Sequence, residues 1–391
     1  MWCLKRFIYT QRIFENMKGI VIVDKGLENV AKKEIKEKIN SEGTIEETIV
    51  IFPIKEEEEL CKVAYTCQSI KRAILLINKV QITNKLDESI NKLIKKLSKK
   101  DLNSLSKTFI NCERNGEHEF NSVEFAKKLS KKLKQQTTQT TKTKENLYVY
   151  IHNKKAYLGI DFSGKDLGKR THRIFTSASS LKGTLSFALS MIAKYKPGEI
   201  IVDPSCESGT IAIEAALYAT KKPVHYYDKE FSFKKINDSF EKIFEKEDKK
   251  IKKEAKNIYS FDKLLRNIHN SKKNAKIAGV EKNINFSKTD ISWLDTKFEK
   301  ESVDKIITKL PSISKRINEK TVNKIYQELI YQAKYVLKKN GTLTICTLKN
   351  QLIKTIAEKK DFEMKEEQII YSGKQKYYVN VFKKLNNKQI D

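Results

Sequence analysis

The chain has 391 residues, 39% of them hydrophobic and 32% charged, which suffices for two or three packed domains. Its formal net charge of +29, carried mainly by lysine, suits a polyanionic partner gripped through phosphate neutralisation, with solvated surface lysines as the plain alternative. No apolar run is long enough to cross a bilayer, and the six cysteines form neither a C-x-x-C pair nor a Cys/His cluster of zinc-like spacing. No membrane and no metal are therefore expected, and the cysteines read as reduced thiols of a cytoplasmic protein.

Residues 1–16 are basic but lack the apolar core and small-residue cleavage site of a signal peptide, and read as a disordered extension. Residues 17–82 read as a ferredoxin-like α+β unit in the order βαβαβ. Its strands are Gly19–Asp24, Thr48–Phe52 and Arg72–Lys79. Its helices are Leu27–Asn40, with Leu27, Val30, Ala31, Ile35 and Ile39 on one face, and Glu56–Cys67. Residues 83–163 read as a second unit. Helices Asp87–Leu97 and Ser122–Lys134 flank strand Thr108–Glu113. A Gln/Thr/Lys loop, Gln135–Lys144, then leads to strands Leu147–Ile151 and Lys155–Asp161.

Residues 164–178 form a basic linker containing Gly164–Arg173, GKDLGKRTHR. From 179 to 391 strands and helices alternate, which implies a parallel sheet with crossover helices. Predicted helices are Ser179–Lys194, Thr210–Ala219, Lys263–Ala278, Lys320–Leu337 and Leu352–Lys359. Predicted strands are Ile200–Asp203, Ile258–Phe261, Ile284–Ser287, Asp304–Thr308, Thr342–Thr347, Met364–Tyr371 and Lys376–Phe382. The charged stretch Lys234–Lys256 reads as a helical surface insert. The class is thus α/β, a doubly wound C-terminal domain behind an α+β front half.

The sharpest local signal is Ile200–Ile211, IIVDPSCESGTI. An apolar strand ends at Asp203, a tight turn follows, and a helix opens near Thr210. Such a junction offers free backbone N–H groups, and Gly209 permits close ligand approach, so Asp203, Cys206, Glu207, Ser208, Gly209 and Thr210 are candidates to cradle an adenosyl cofactor. The next strand ends at Asp262-Lys263, where a carboxylate suits ribose hydroxyls. The one after leads to Asp290-Ile291, which could flank an adenine. Lys309-Leu310-Pro311-Ser312 closes the following strand, where a reacting group belongs. An ordinary β-to-α turn with solvated aspartates is the alternative at each position taken singly.

With those stretches in view, the sequence from Met17 onward resembles the THUMP-domain RNA methyltransferases, closest to the archaeal and bacterial tRNA guanine-N2 methyltransferases. Lys25-Gly26-Leu27-Glu28 resembles the family's PGLE opening. Cys112–Asn121 and Ala156–Arg173 resemble its THUMP domain and exit. Asp203–Thr210 resembles DPFCGSGT, Phe231-Ser232-Phe233 resembles its F-x-F element, and Asp262-Lys263 with Asn274-Ala275 and Ala278-Gly279-Val280 resembles the helix after the ribose-binding acid. The resemblance implies a Rossmann-like methyltransferase domain that takes S-adenosyl-L-methionine, a THUMP domain at 83–163 that holds the acceptor stem or 3′ end of tRNA, methylation of a guanine exocyclic amine, and a monomer. Arg114, Lys165, Lys169, Arg170 and Arg173 are the expected RNA contacts, the last four sitting between the two halves that would share one ligand.

Two departures fall at the expected active site. The family's N-P/L-P-Y/F-G reads Lys309-Leu310-Pro311-Ser312-Ile313 here. Lysine has no acceptor for a target amine, and serine cannot stack on a base. Glu207 stands where the family has glycine, narrowing the cofactor loop. The backbone carbonyl of Leu310 remains as an acceptor, and methyl transfer relies heavily on positioning. The sequence therefore carries a second expectation, a weak or silent tRNA-binding relative.

Overall fold

The computed structural model describes residues 17–98, 102, 105, 108–135, 146–313 and 317–385. The predicted extension at 1–16 and nearly all of the Gln/Thr/Lys loop lie outside the described residues.

The front half is built on one seven-stranded sheet of order β2-β3-β1-β4-β7-β6-β5. Its first part runs β1 (Lys18–Ile22), α1 (Glu28–Ile39), β2 (Thr44–Glu46), β3 (Ile49–Pro53), α2 (Glu57–Thr66) and β4 (Arg72–Gln81). β2 is a three-residue strand that the sequence reading omits, and it completes a βαββαβ order. Then come α3 (Leu86–Lys95), β5 (Phe109–Asn115), α4 (Ser122–Gln135), β6 (Asn146–His152) and β7 (Lys155–Asp161). Residues 17–82 and 83–163, separated in the sequence reading, share this sheet, because β4 pairs antiparallel with β1 on one side and with β7 on the other. Alternation places Val21, Val23, Ala73 and Leu75 under α1 and α2, and Val149, Ile151 and Leu158 under α3 and α4.

The back half carries the second seven-stranded sheet, of order β10-β9-β8-β11-β12-β14-β13. Its strands are β8 (Ile201–Asp203), β9 (Ile258–Asp262), β10 (Asn285–Lys288), β11 (Val303–Lys309), β12 (Leu337–Thr347), β13 (Phe362–Ser372) and β14 (Gln375–Lys384). The first five are parallel, and β14 enters antiparallel beside β12. The covering helices are α5 (Gly183–Ile192), α6 (Thr210–Thr220), α7 (Phe233–Ile236), α8 (Lys242–Asp248), α9 (Leu265–Ala278), α10 (Glu319–Val336) and α11 (Asn350–Glu358). This is the doubly wound sheet with terminal hairpin that the alternation predicts. Asn318 caps α10 by accepting the Thr321 amide at 2.9 Å, and Gly279 ends α9 at φ 71°.

The segment read as a surface insert is corrected by its burial. Phe240, Ile243 and Phe244 are nearly inaccessible, and the Tyr65 ring of α2 meets Phe244 edge-on at 4.8 Å between centroids. Charged residues on its outer face hide this apolar stripe in the sequence. The back half also docks its terminal hairpin on the Lys25–Glu28 turn. The Tyr371 amide donates to the Lys25 carbonyl at 2.9 Å, and a Cβ on Gly26 would lie 2.2 Å from the Ile369 carbonyl oxygen, so position 26 needs glycine. Glu28 fixes that turn by accepting the amides of Gly26 and Thr48 at 2.9 and 2.8 Å.

Candidate active site

β8 and β11 are neighbours although β9 follows β8 in the chain, so the strand order reverses between them. Crevices for ligands open at the carboxyl ends of strands at such a point. Asp203 ends β8 there, 1% exposed. Its Oδ1 accepts Thr308 Oγ1 at 2.8 Å and the Ser205 amide at 3.2 Å, while Oδ2 is buried without a partner. Burial, reinforced by the carboxylates of Asp262 and Glu207, raises its pKa to about 7 against the pull of those two hydrogen bonds. A carboxyl sealed in with one unused oxygen is costly unless something cationic or hydrogen-donating meets it.

The loop after Asp203 is pinned from below. The Cys206 amide donates to the Phe261 carbonyl at 2.9 Å, the Glu207 amide to Asp262 Oδ2 at 3.0 Å, and Ser271 Oγ to the Glu207 carbonyl at 3.2 Å. Asn274 Nδ2 of α9 reaches the Ser208 carbonyl at 3.1 Å. Gly209 has φ 74°, and a Cβ on it would press to 2.8 Å from Ser271 Cβ, so the loop packs on α9 only with glycine there. Glu207 also sits in the left-handed region, at φ 51°, where an ordinary residue costs about 1–2 kcal/mol. Ser208 and Thr210 link their hydroxyls at 3.0 Å where α6 opens.

Asp262 uses both oxygens locally, Oδ2 for the Glu207 amide and Oδ1 for the Leu264 amide at 2.9 Å. Lys263 is exposed beside it. Asp290 is exposed and turns its Oδ1 to the Ser292 amide and hydroxyl, both at 3.1 Å, with Ile291 half-buried next to it. At the end of β11, Lys309 is nearly buried and places Nζ 3.0 Å from Glu207 Oε1. Glu207 and Lys309, which the sequence reading treats as two separate departures, thus meet as an ion pair across the narrow cleft that Asp203, Cys206, Ser208 and Thr210 also line. Leu310 is fully buried, and its amide donates to the Cys346 carbonyl at 3.0 Å. The Pro311 carbonyl accepts Tyr326 Oη at 3.1 Å, and Ser312 Oγ is buried without a partner.

Asp203, Cys206, Glu207, Ser208, Thr210 and Lys309 therefore share one cleft, and Asp262 is bonded to its loop. Asp290 and Ile291 stand farther along the sheet's edge. Thr308 and Ser271 are working parts that the sequence reading misses. Thr308 carries a signal, a hydroxyl directly after the apolar pair Ile306-Ile307.

The expected RNA contacts divide. Arg170 is corrected: its side chain is 0% exposed, and Nε donates to Glu214 Oε1 of α6 at 2.7 Å. Its other nitrogens serve the carbonyls of Leu167 and Gln68, and Gln68 Nε2 in turn reaches Glu214 Oε2 at 2.8 Å. Arg170 is a buried pin between the halves, with no reach to a phosphate. Arg173 is partly buried and donates to the Ser180 carbonyl at 3.4 Å. Lys165 pairs with Asp228 at 2.6 Å and lies 4.5 Å from the Phe231 ring centroid. Lys169 is exposed. Arg114 spans the Gly116 carbonyl at 2.7 Å and His118 Nδ1 at 3.2 Å.

No described helix is long and apolar enough to cross a membrane, and among the described residues no group of three or more His, Cys, Asp or Glu is placed to hold a metal. The family model described as UPF0020, the RMKL-like methyltransferase domain, matches residues 170–377. A tRNA (guanine(6)-N2)-methyltransferase of Methanocaldococcus jannaschii is 28% identical over 373 residues, 90% of this chain and 96% of that relative. A possible methylase from Clostridium difficile 630 superposes with TM-score 0.78 at 22% identity, covering 96% of this chain and all of that one. The putative methyltransferase SMU.472, solved with SAH, gives 0.75 at 16% identity over 95% of this chain and 99% of its own.

Proposed function

Because the chain belongs to the UPF0020 family, the RMKL-like methyltransferase domain, we propose that it methylates a guanine exocyclic amine of tRNA with S-adenosyl-L-methionine as donor. The observation that carries the cofactor reading is the unpartnered Oδ2 of buried Asp203, a place for an ammonium group. The Gly209 turn, which leaves no room for a side chain, fits a backbone cradle beside it. SMU.472 holds SAH on the same fold, in line with that fit.

The donor, when bound, supplies an activated methyl group on a sulfonium. The chain does the rest by placement. Asp203 binds and orients through Oδ2. The amides of Ser208 and Thr210, at the start of α6, would meet the ligand, while that of Gly209 closes the turn on the Cys206 carbonyl at 2.7 Å. Asp262 stiffens the loop through the Glu207 amide, and would be the carboxylate to hold the donor's ribose hydroxyls. Leu310 offers its carbonyl at the end of β11. Positioning of this kind supplies a large share of the barrier reduction in group transfer.

The tRNA substrate comes to this chain from the name of its Methanocaldococcus relative. The basic charge supports a phosphate-rich partner, and the cytoplasm is where that substrate would be met. In this reading the front sheet grips the acceptor stem or 3′ end, with Lys169 and Arg114 among the contacts, and the protein acts as a monomer. A silent relative is the weaker reading, since the family and the full-length relative are enzymes by name. The test is incorporation of labelled methyl from S-adenosylmethionine into an unmodified tRNA transcript, followed by nucleoside analysis. N2-methylguanosine is the expected product; folded protein that leaves the transcript unlabelled would refute the proposal.

A further inference from the structure

Methyl transfer to an exocyclic amine must end with a proton leaving that nitrogen, and the acceptor has to stand where the amine arrives. Lys309, at the end of β11, brings only donors. Four carboxylates lie near these strand ends, and the structure separates them. Asp262 spends both oxygens on backbone amides. Asp203 keeps one oxygen unused, but it is only 1% exposed and that oxygen is the one assigned above to the donor's ammonium group. Asp290 follows β10 at the far edge of the sheet and is folded onto Ser292. Glu207 is different. Its backbone is clamped at both amide and carbonyl, its side chain is 22% exposed, and Oε1 is held by Lys309 at 3.0 Å while Oε2 accepts no hydrogen bond from the described residues.

Lys309 is itself placed by the sheet, paired in register with Cys346 of β12. Tyr377 of β14 lies one residue before the pairing of Tyr378 with Thr347; burial, aided by the nearby Glu207 carboxylate, raises the pKa of its hydroxyl. The carboxylate of Glu207 therefore lies over the ends of β8, β11 and β12.

Resting on the methyltransferase reading above, we propose that Glu207 is the catalytic acceptor for the target amine and that Lys309 is the positioning residue that aims it. The amine nitrogen forms its bond to the methyl carbon as the carbon–sulfur bond breaks, that bond's electron pair stays on sulfur, and the proton shed by nitrogen passes to Oε2 of Glu207. The two residues answer each other. The lysine that brings no acceptor holds a carboxylate that is one, and the carboxylate neutralises a cation that would otherwise face a sulfonium.

The experiment uses the full chain, an unmodified tRNA transcript, and calorimetry with S-adenosylhomocysteine. Glu207→Gln keeps size and a hydrogen bond to Lys309 but removes the proton acceptor. It should lower kcat by about a hundredfold, with tRNA retention and S-adenosylhomocysteine affinity unchanged. Lys309→Met should lower kcat as well, and Lys309→Arg should restore it. Wild-type turnover in Glu207→Gln, with binding intact, overturns the acceptor role and leaves the methyltransferase reading standing. A wild-type chain that stays inert while the Glu207→Gly/Lys309→Asn double variant transfers methyl marks the pair as an obstruction and also overturns it. A wild type that binds both ligands yet labels no transcript, alongside an equally inert double variant, overturns the methyltransferase reading and the acceptor role together.

Discussion

Replacing Asp203 with asparagine should make the ligand-free protein more stable at alkaline pH while removing its grip on the cofactor. The carboxyl is buried, and its pKa is raised from 3.8 to about 7. A raised folded-state value means that the native protein keeps this proton where the unfolded chain has lost it, so the stability contribution is fully present below about pH 4 and falls as pH rises toward 7. That rise corresponds to about 4 kcal/mol of destabilisation above pH 7. Asparagine removes the charge, and its Oδ1 can still accept Thr308 Oγ1 and the Ser205 amide. The amide nitrogen that replaces the unpartnered Oδ2 is then a buried donor with no acceptor, which costs about 1–3 kcal/mol. The net gain at pH 8 is therefore about 1–3 kcal/mol. The assay is urea unfolding of wild type and Asp203→Asn at pH 5 and pH 8, with the difference between proteins compared at each pH so that other titrating groups cancel. The advantage of the variant should be larger at pH 8. S-adenosylhomocysteine binding should weaken by about tenfold or more, since a charge-assisted hydrogen bond is worth about 1.5–3 kcal/mol. A variant less stable than wild type at pH 8, or an advantage that does not change between the two pH values, would refute the account of a sealed carboxylate.

The other expectations follow from single contacts. Arg170→Met leaves Glu214 charged and unpaired inside the protein, which should lower unfolding free energy by about 3–5 kcal/mol; a loss under about 1 kcal/mol in denaturant titration would show that Glu214 is solvated. Gly209→Ala forces a side chain against Ser271 at a left-handed position, and should weaken S-adenosylhomocysteine binding in calorimetry with little change in tRNA retention. Lys169→Ala, at an exposed site, should leave stability unchanged within about 0.5 kcal/mol. If Lys169 touches phosphate, the same change reduces the slope of log affinity for tRNA against log salt by about 1, and an unchanged slope removes it from the contact surface.

The alternating pattern makes the second sheet legible, because β8 and β9 are short, largely apolar runs and helix-length segments separate most of the parallel strands. The loop from Asp203 to Thr210 is legible for the same reason, an apolar strand ending at Asp203 before a glycine turn. What stayed hidden depended on contacts between distant residues. The strand β2 is three mostly polar residues, too short to show a period. Glu207 and Lys309 each read as a defect when taken alone, and only their meeting at 3.0 Å turns two departures into one feature. Arg170 stands among basic neighbours in the sequence, which masks its burial. The counter-signal was Glu214, a lone acid in the apolar helix TIAIEAALYAT, where burial requires a charged partner.

The Arg170–Glu214 pair also bears on how the two halves cooperate. Gln68 belongs to the front half and Glu214 to α6, the helix that opens after the Asp203 loop, and Arg170 ties both with its guanidinium. Around them the apolar core runs without a break from Val21 and Ala64 in front to Leu185 and Ala212 behind. Packed cores transmit displacement and deform little. The distance from the front sheet to the ends of β8 and β11 is thus set by side-chain packing. A polyanion that engages both surfaces meets a fixed separation, so the position of a reacting base along it is measured from the front-half contact. A charge buried in this joint is costly to break from one side only. Removing Arg170 therefore disturbs the spacing of the two surfaces as well as the stability of either half.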